Sequence, residues 1–571
     1  MSMLADLKVL TPKNFELPQA IDDVIHSEVP LSKNSDSMEF SLIFPLKEIS
    51  RYWHPANNGV DSLPNLWTEP MEISTNYSMP IFVFFNELGE NRLTISLNET
   101  VRKVEVSIGV HEESASMIAS FTFPEGLSSE KLMVYLDGKQ RPFFQSVVAS
   151  RTWLYEQKEY QLLPYNEAAF KPVYSTWYSY HQALTQASIE NQSQDFEKYH
   201  LETLILDDGW QTDDNSRRYA FAGDWEIAQS KFPTMADHVA KIKAQGVKYM
   251  VWVTLPYIGE QTEAFSRFED KFLYFDAYQK AGILDPRYPD VRAYLVEKLV
   301  TLVKELNLDG LKIDFVDSFK EIDTKKSADM DMMNLAESIN ILLAEITATC
   351  LADNPKFLVE FREDYYGPNM VQYCNIMRVK DCPNDFNKNR VGLTNIRLLA
   401  PSVAPHGDML LFHLDDHLAS ISLQFLNCLY GVVQLSVDLT KLSPEQKEMI
   451  AFWLDYQMEN QEVLLHQEFM ALNPHLGYNF LVAGSNEKRI LTTYQTDQVI
   501  HLDKSFKAKQ VDIVNATLSD YLMIATDDFF EEVAFEIFDL KGQKLDQGQL
   551  KLTAIQKIAV PACGLLVLTE I

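Results

Sequence analysis

The stretch from Thr203 to Trp210, TLILDDGW, is an apolar run that stops abruptly at two adjacent carboxylates. A short apolar run bounded by polar residues is typical of a strand buried on both faces, as in a parallel sheet. Similar runs recur through the middle of the chain and alternate with amphipathic stretches. The other runs are VYSTWYSY (173–180), KYMVWVTLP (248–256), GLKIDFVD (310–317), KFLVEFRED (356–364), NIMRVKDCP (375–383), a weaker candidate at 406–412 and LYGVVQLSVD (429–438).

Strands that alternate with helices in this way predict an α/β fold, a closed (β/α)8 TIM barrel, which we place at residues 172–460. The stretch 289–306 supports the barrel because it opens with a proline and carries Val291 and Leu295 on one stripe of a helix. The rival architecture is an open doubly wound sheet, which needs a glycine-rich turn after its first strand. The segment VYSTWYSYHQ (173–182) has no glycine, so we favour the barrel.

Both flanks of the barrel region show short runs of period two, which are typical of antiparallel strands. Before the barrel these runs are EFSLIFPL, MPIFVFFNEL, RLTISLNE, VRKVEVSIGV, MIASFTFP and KLMVYLDG, and after it they are YNFLVAG, RILTTYQ, VAFEIFDLKG and GLLVLTE. We therefore predict an N-terminal β-sandwich domain at 1–150, a connector at 151–171 and a small C-terminal all-β domain at 461–571.

The composition is that of a globular protein and excludes several classes of partner. Asp and Glu outnumber Lys and Arg by 81 to 50, and the formal net charge of −31 disfavours binding to nucleic acid and to anionic membranes. A neutral substrate is expected. The first residues, MSMLADLKVL, lack the basic start and the apolar core of a signal peptide, so we expect a cytoplasmic protein. A homo-oligomer, in which a neighbouring subunit completes the pocket, is compatible with the sequence.

The functional residues of a TIM barrel lie at the carboxyl ends of its strands, so the residues that end each run are the candidates. Carboxylates accept hydrogen bonds from vicinal hydroxyls, and tryptophan faces cover the apolar side of a pyranose. The run ends carry both kinds of group and no G-x-S-x-G motif, so the set indicates a sugar site. Its members are Trp177, Asp207, Asp208, Trp210, Trp252, Lys312, Asp314, Asp317, Glu360, Arg362, Arg378 and Asp381.

Cleavage of a glycosidic bond requires two carboxyl groups, one as nucleophile or base and one as proton donor. Asp314 and Asp381 are the best pair in this sequence. Lys312 lies two residues before Asp314 on the same strand face, where its ammonium would keep the carboxylate ionised. Asp381 ends the run two strands further around the barrel, within reach across its mouth.

Each of these residues also has a structural interpretation. An aspartate at the end of a strand is commonly a helix cap or a turn residue, and Lys312 could extend to the rim of the barrel. Trp252 lies within an apolar run and suits the core as well as a sugar platform. The functional interpretation is favoured because five consecutive strand ends carry compatible groups. A sugar-binding protein without activity is the alternative from another class.

Two further patterns bear on metal binding. The segment FHLDDH places His413 and His417 four residues apart, a spacing that can supply two ligands from one helical turn. It lacks the glutamate of H-E-x-x-H, so we favour a helix start in which Asp415 or Asp416 lies near the N-terminus. The five cysteines are scattered without a C-x-x-C pair, which predicts free buried thiols. No metal site is therefore predicted.

Four segments together resemble glycoside hydrolase clan D, and most of all family 36, the melibiases and raffinose synthases. They are LILDDGWQ (204–211), GDWEIAQSKFP (223–233), DGLKIDF (309–315) and RVKDCPND (378–385). The resemblance covers the barrel, and the order and spacing of the segments are more specific than any one of them. It implies a β-sandwich before the barrel, a β domain after it, and no metal or organic cofactor.

The resemblance also implies roles for individual residues. Asp314 would be the nucleophile of a retaining double displacement, and Asp381 the acid that protonates the departing oxygen and then deprotonates water. Asp207 and Asp208 would bind O4 and O6 of an α-galactoside with Trp210 beside them. The resemblance further implies that Lys312 contacts O3 or O4 and that Arg378 approaches O2.

Two departures from the family pattern concern the shape of the pocket. The chain has EFREDYYGP (360–368) where common α-galactosidases carry a Cys-Ser-Gly-rich turn, and WVTLPYIG (252–259) where they carry a W-x-E-P-E-M-like segment. Arg362 has no counterpart in the common pattern, and we expect it to occupy part of this space. The predicted activity is hydrolysis of α-galactosides of small oligosaccharides. The alternatives are transglycosylation and an α-glycosidase for another hexose.

Overall fold

The structure is a computed structural model that describes residues 3–11, 15–31, 38–57, 59–321, 327–526, 532–552 and 555–570. Its centre is a sheet of eight parallel strands, and antiparallel or mixed sheets lie before and after it in the chain. The predicted fold class, a TIM barrel flanked by β regions, is confirmed.

The barrel strands follow the order of the chain, and each pairs in parallel with the next. The eighth strand pairs with the first, and isolated bridges from His406 to Val432 and from Leu410 to Leu435 close the barrel. From first to eighth, the strands are Val173–Ser175, Thr203–Leu206, Lys248–Thr254, Gly310–Asp314, Leu358–Arg362, Ile376–Arg378, Ala404–His406 and Gln434–Leu435.

Seven of the eight predicted runs contain a barrel strand, and the weaker candidate at 406–412 overlaps the seventh strand only at His406. The eighth strand starts five residues after the beginning of its apolar run because a turn occupies the first residues of that run. The helix Leu418–Asn427 precedes this turn.

The helices of the barrel region lie between successive strands. They are Trp177–Tyr180, Gln186–Gln192, Met235–Lys243, Glu263–Phe268, Pro289–Leu306, Leu335–Asp353, Pro368–Val371, Phe386–Leu399, Leu418–Asn427 and Pro444–Glu459, with a π-helical turn at Glu462–His466. Pro289–Leu306 forms as predicted, with proline in its first turn and its apolar stripe buried. Leu335–Asp353 has the length and mean hydropathy of a membrane span, and half of it is buried inside the protein.

Two sheets of five antiparallel strands precede the barrel. One contains, in spatial order, Lys8–Leu10, Met38–Pro45, Ser116–Phe123, Val104–His111 and Met71–Ile73, and the other Val24–Glu28, Met133–Asp137, Asn91–Leu97, Ile81–Phe85 and Arg51–Trp53. Alternate residues of Met38–Pro45 are buried, as expected for a strand with one face in a sandwich core. The helix Phe143–Glu156 follows and packs against both this region and the barrel helix Phe386–Leu399.

The region after the barrel contains one sheet of seven strands and one of three, both of mixed direction. The larger sheet contains Glu468–Leu472, Phe480–Gly484, Lys488–Thr493, Gln510–Asn515, Leu565–Glu570, Val533–Phe538 and Lys544–Leu550, and the smaller one Val499–Leu502, Leu522–Thr526 and Gln556–Ile558. A small sheet that the sequence did not predict interrupts the barrel after its third strand. Its strands are Tyr257–Gly259, Ala281–Leu284 and Phe272–Asp276.

The N-terminal region contacts the end of the barrel at which the strands terminate. The side-chain amide of Asn76 donates hydrogen bonds to the carbonyls of Val316 (2.7 Å) and Phe319 (3.2 Å), which follow the fourth strand. The backbone N–H of Ser78 donates to the carbonyl of Asp364 after the fifth strand (2.8 Å). These bonds fix the loops that leave the fourth and fifth strands.

We predict that Gly310→Ala destabilises the barrel. A Cβ at Gly310 would lie 2.5 Å from the carbonyl oxygen of Leu358 and 2.9 Å from Met250 Cγ, so the neighbouring strands would have to separate. Overpacking of this kind costs about 1–3 kcal/mol, which a urea titration followed by circular dichroism would detect. Gly367→Ala is the matched control, because the nearest atom to its Cβ would lie 3.4 Å away. Equal stability of the two variants would contradict the prediction.

Candidate active site

The carboxyl ends of the barrel strands surround a cavity, here called the strand-end cavity. Its lining combines carboxylates, two cationic groups and aromatic rings. It comprises Trp177, Asp207, Asp208, Tyr219, Trp252, Lys312, Asp314, Phe315, Arg378 and Asp381. Of the twelve residues singled out in the sequence, eight line this cavity, and Trp210, Asp317, Glu360 and Arg362 lie outside its lining.

Asp314 ends the fourth strand with its side chain at the cavity, and three donors bind its carboxylate. Oδ1 accepts from Arg362 Nε (3.0 Å) and from the backbone N–H of Phe315 (2.8 Å), while Oδ2 accepts from Trp252 Nε1 (3.1 Å). Burial raises the pKa of Asp314, but the cations Arg362, Lys312 and Arg378 outweigh it and hold that pKa well below its usual range. The carboxylate is therefore ionised and has one oxygen with a single donor.

Phe315, immediately after this carboxylate, adopts a left-handed backbone conformation with φ 61° and ψ 22°. This conformation is strained for a bulky side chain. It ends the strand and turns the Phe315 N–H towards Asp314 Oδ1, while the Phe315 ring lines the cavity. The strain thus lies at the residue that orients the carboxylate.

Asp381 lies three residues after the end of the sixth strand, and its side chain is 57% exposed. Arg378 Nη2 donates to its Oδ1 at 2.9 Å. Burial raises the pKa of Asp381 and the negative charge of Asp314 acts in the same direction, but the cations Arg378, Lys312 and Arg362 together outweigh them and lower that pKa. Asp381 is thus the accessible carboxyl group of the cavity, and its ion pair controls when it holds a proton.

The paired acids at the end of the second strand have different partners. Asp207 Oδ2 accepts from Lys312 Nζ at 2.6 Å, and both side chains are buried. Asp208 instead accepts from two amides, Gln182 Nε2 (2.7 Å) and Gln211 Nε2 (2.6 Å). Burial lowers the pKa of Lys312, but the carboxylates Asp207, Glu360 and Asp314 together outweigh it, so that pKa is raised and the ammonium stays charged.

Asp208 differs from its neighbour because neutral groups surround it. Burial raises the pKa of Asp208 to about 6, although the hydrogen bonds from Gln211 and Gln182 act in the opposite direction. Gly209, with φ +114°, lets the chain pass this point, since a Cβ there would lie 2.5 Å from Gln182 Cα. The motif DDGW thus needs its glycine so that Gln182 can reach the second acid.

The predicted tryptophans have three different environments. Trp177 is half-buried at the cavity, with the Arg217 guanidinium 5.2 Å from its ring centroid. Trp252 lines the cavity and donates to Asp314, so it supports the carboxylate directly. Trp210 is fully buried outside the cavity, where its Nε1–H donates to the carbonyl of Trp252 at 3.0 Å. The structure therefore does not place Trp210 against a sugar in this cavity, because its buried indole stacks on Trp225, with the ring centroids 6.0 Å apart.

Arg362 contacts the carboxylate of Asp314 and does not line the cavity. Besides its bond to Asp314, its Nη2 donates to Asp317 Oδ1 at 3.1 Å, and the Tyr365 hydroxyl donates to the same oxygen at 3.0 Å. The guanidinium is thus fixed between two carboxylates. This arrangement accounts for an arginine in a segment that departs from the common family pattern.

Five functional neighbours escaped the sequence argument or received no role in it. Tyr219 and Phe315 line the cavity, and Gln182 binds Asp208. Asp408 and the buried Glu360 both approach Arg378. Tyr219, Gln182 and Asp408 lie in loops without periodicity, whereas Glu360 was recognisable as a residue near the end of a strand.

A second pocket, here called the side pocket, shares Asp381 with the strand-end cavity. Its wall includes Tyr366, Val379, Val391 and Pro55, the last from the N-terminal region. Glu363 also lines it, and burial raises the pKa of Glu363 to about 7. The two spaces therefore meet at one carboxyl group.

The structure also shows the surroundings of the sequence pattern FHLDDH. The helix begins at Leu418 with His417 at its N-cap position, and the His413 side chain is largely exposed. Among the described residues, there is no group of three or more His, Cys, Asp or Glu side chains that could hold a metal ion. The five cysteines are all buried and free.

Comparisons with known proteins identify the family. The melibiase family model matches residues 163–466, more than half of the chain. A stretch of 120 residues is 28% identical to the α-galactosidase of Escherichia coli and covers 20% of this chain but only 17% of that protein.

Two solved structures share the fold across almost the whole chain. The α-galactosidase of Lactobacillus brevis superposes with a TM-score of 0.64 at 13% identity and covers 99% of this chain and 85% of that one. A variant of the family 36 α-galactosidase AgaA from Geobacillus stearothermophilus, solved in complex with raffinose, gives 0.63 at 14% identity with 99% and 86% coverage. With the barrel, the strand-end acids and the family match in agreement, the chain belongs to the melibiase family.

Proposed function

We propose that this protein is a retaining α-glycosidase that hydrolyses terminal α-galactosides of small oligosaccharides. The observation that carries the proposal is the pairing, at one cavity, of the ionised Asp314, whose Oδ2 has a single donor, with the accessible Asp381. The family membership supports the reaction, and the raffinose complex of the Geobacillus relative supports the choice of sugar.

The donors around Asp314 identify its attacking atom. Two hydrogen bonds occupy Oδ1 and one occupies Oδ2, so Oδ2 keeps a lone pair that is free to bond carbon. In the first step, Oδ2 forms an ester with the anomeric carbon while the bond to the leaving oxygen breaks. Asp381 transfers its proton to that oxygen, which departs as an alcohol.

The second step reverses these roles. Asp381, now a carboxylate, takes a proton from water as the water oxygen bonds to the anomeric carbon. The ester bond to Asp314 breaks and returns its carboxylate. Two inversions at the same carbon give net retention of configuration, and Arg362 and Trp252 stabilise the carboxylate at the start and the end of the cycle.

The remaining polar groups of the cavity suit the recognition of a neutral sugar. Asp207 and Asp208 accept hydrogen bonds from vicinal hydroxyls, and Lys312 donates one from its buried ammonium. The Lys312–Asp207 pair, at 2.6 Å, fixes both groups before the sugar arrives. The side pocket, which meets the cavity at Asp381, holds the leaving group.

We predict that Asp314→Gly lowers turnover of 4-nitrophenyl α-galactoside by roughly a thousandfold or more, the scale of losing a nucleophile. Azide then restores part of the rate, because it fits the space left by the carboxylate, and the product is β-galactosyl azide. Asp415→Gly, at a side chain that is 92% exposed, is the control and keeps wild-type activity. An Asp314→Gly variant with undiminished turnover would exclude this nucleophile.

We predict that Asp381→Ala affects substrates according to their leaving groups. Nitrophenolate departs without help, whereas methanol needs a proton, so hydrolysis of methyl α-galactoside falls by about 10²–10⁴-fold more than the first step with the nitrophenyl substrate. Pre-steady-state release of nitrophenol separates that first step from turnover. Equal losses on both substrates would show that Asp381 is not the acid.

We predict that the affinity for galactose rises as the pH increases through about 6. Asp208 has a raised pKa of about 6, so it is protonated below that pH and is ionised, as a better acceptor for hydroxyls, above it. Calorimetric titration between pH 5 and 8 measures the effect. Asp208→Asn removes the pH dependence, while Glu363→Gln, in the side pocket, retains it. A wild-type affinity that is independent of pH would contradict the assignment.

A further inference from the structure

Arg378 is buried at the end of the sixth strand and faces three carboxyl groups. Its Nη2 lies 2.9 Å from Asp381, its Nη1 lies 2.6 Å from Asp408, and its Nε lies 3.7 Å from Glu360. Asp408 and Glu360 are each only 1% exposed, whereas Asp381 opens to solvent. One guanidinium thus serves a catalytic carboxyl group and two buried ones.

This sharing matters for the proton on Asp381. A close ion pair with an arginine favours the ionised form of a carboxyl group, yet the first step of the reaction needs the protonated form. If Arg378 were paired with Asp381 alone, it would therefore keep Asp381 deprotonated. Negative charge on the opposite side of the guanidinium opposes this effect.

Asp408 is the group whose contacts can supply this negative charge. Its Oδ1 accepts from Arg378, and its Oδ2 accepts from the Tyr178 hydroxyl (2.9 Å) and from the backbone N–H of Cys382 (2.6 Å). Burial and the negative charge of Asp381 raise the pKa of Asp408, while Arg378, the Cys382 N–H and Tyr178 act in the opposite direction and limit the rise. The guanidinium on Oδ1 and the backbone N–H on Oδ2 can only donate, so the geometry of these contacts fits the carboxylate form of Asp408.

We propose that Asp408 is a positioning residue that draws Arg378 towards the seventh strand, weakens the ion pair between Arg378 and Asp381, and so lets Asp381 carry the proton for the leaving group. The bond from the Cys382 N–H also fixes the backbone next to Asp381. Asp408 therefore acts on the acid through its charge and through its geometry.

The other charged and titratable groups around this assembly belong to several elements. Asp381 faces Arg378, Asp314, Lys312 and Arg362 across the cavity, and the phenol of Tyr178 lies on the same side. Glu363, Lys380 and Lys388 face it from the side pocket. Around Arg378 and Asp408 lie Glu360, His406 and Cys428. Among these groups, Asp408 makes the shortest contact with Arg378.

The inference rests on the proposed role of Asp381, and the experiment tests the two separately. The pH dependence of kcat/KM for methyl α-galactoside is measured for the wild type, Asp408→Asn and Asp385→Asn. In Asp408→Asn, the alkaline limb moves to lower pH by about one unit, because Arg378 then pairs with Asp381 alone. Asp385→Asn is the matched control with an unchanged limb, since Asp385 caps a helix, asparagine caps equally well, and the Asp385 side chain contacts Lys388 of that helix.

Further variants distinguish an effect of the Asp408 charge from a general effect on the structure. Asp408→Glu keeps the charge and is expected to retain the wild-type limb even where kcat falls. An Asp408→Asn variant that loses activity equally at every pH, with its limb unmoved, would overturn the inference. Asp408→Ser serves the same purpose if the asparagine variant fails to fold. If Asp381→Ala hydrolyses methyl α-galactoside normally, the proposed function fails instead, whatever the behaviour of Asp408.

Discussion

The candidate site depends on the buried negative charge of Asp314. A carboxylate removed from water is ordinarily driven to take up a proton, and burial acts in that direction here. Arg362, Lys312 and Arg378 supply the opposing field, and the Trp252 and Phe315 N–H groups supply directed hydrogen bonds. The neighbouring cations in turn need their own counter-charges, which explains why the barrel end contains so many acids.

The acids at this end of the barrel differ in the partner that each one binds. Asp207 balances Lys312, Asp317 balances Arg362, and Asp408 lies closest to Arg378. Asp208 alone is paired with neutral amides, so it is the acid whose protonation responds to mild changes of pH. Adjacent carboxylates at the end of the second strand therefore coexist because one is neutralised by a lysine and the other is bound by amides.

The sequence was sufficient to predict the barrel and most of its cavity, because both follow from a strong local pattern. Each apolar run marks a strand, and the fold brings the run ends together, so Asp314 and Lys312 could be named without coordinates. Trp210 shows the limit of this reasoning. A tryptophan at the end of an apolar run can be a sugar platform or a core residue, and the burial of Trp210 against Trp225 shows that it is a core residue.

Residues contributed by loops could not be predicted for a related reason. Gln182, Tyr219 and Asp408 lie in segments without periodicity, and their approach to the site depends on how distant loops pack. The loops after the fourth and fifth strands are fixed by the N-terminal region through Asn76 and Ser78, a contact that no local pattern encodes.

The most direct test of the account is to trap the covalent intermediate. A fluorinated α-galactosyl fluoride forms a glycosyl-enzyme that hydrolyses slowly, and digestion followed by mass spectrometry then locates the sugar. The account predicts one sugar per chain, attached to the peptide that carries Asp314. A label on Asp381 or on another carboxylate, or turnover of the reagent with inversion and without any label, would contradict it.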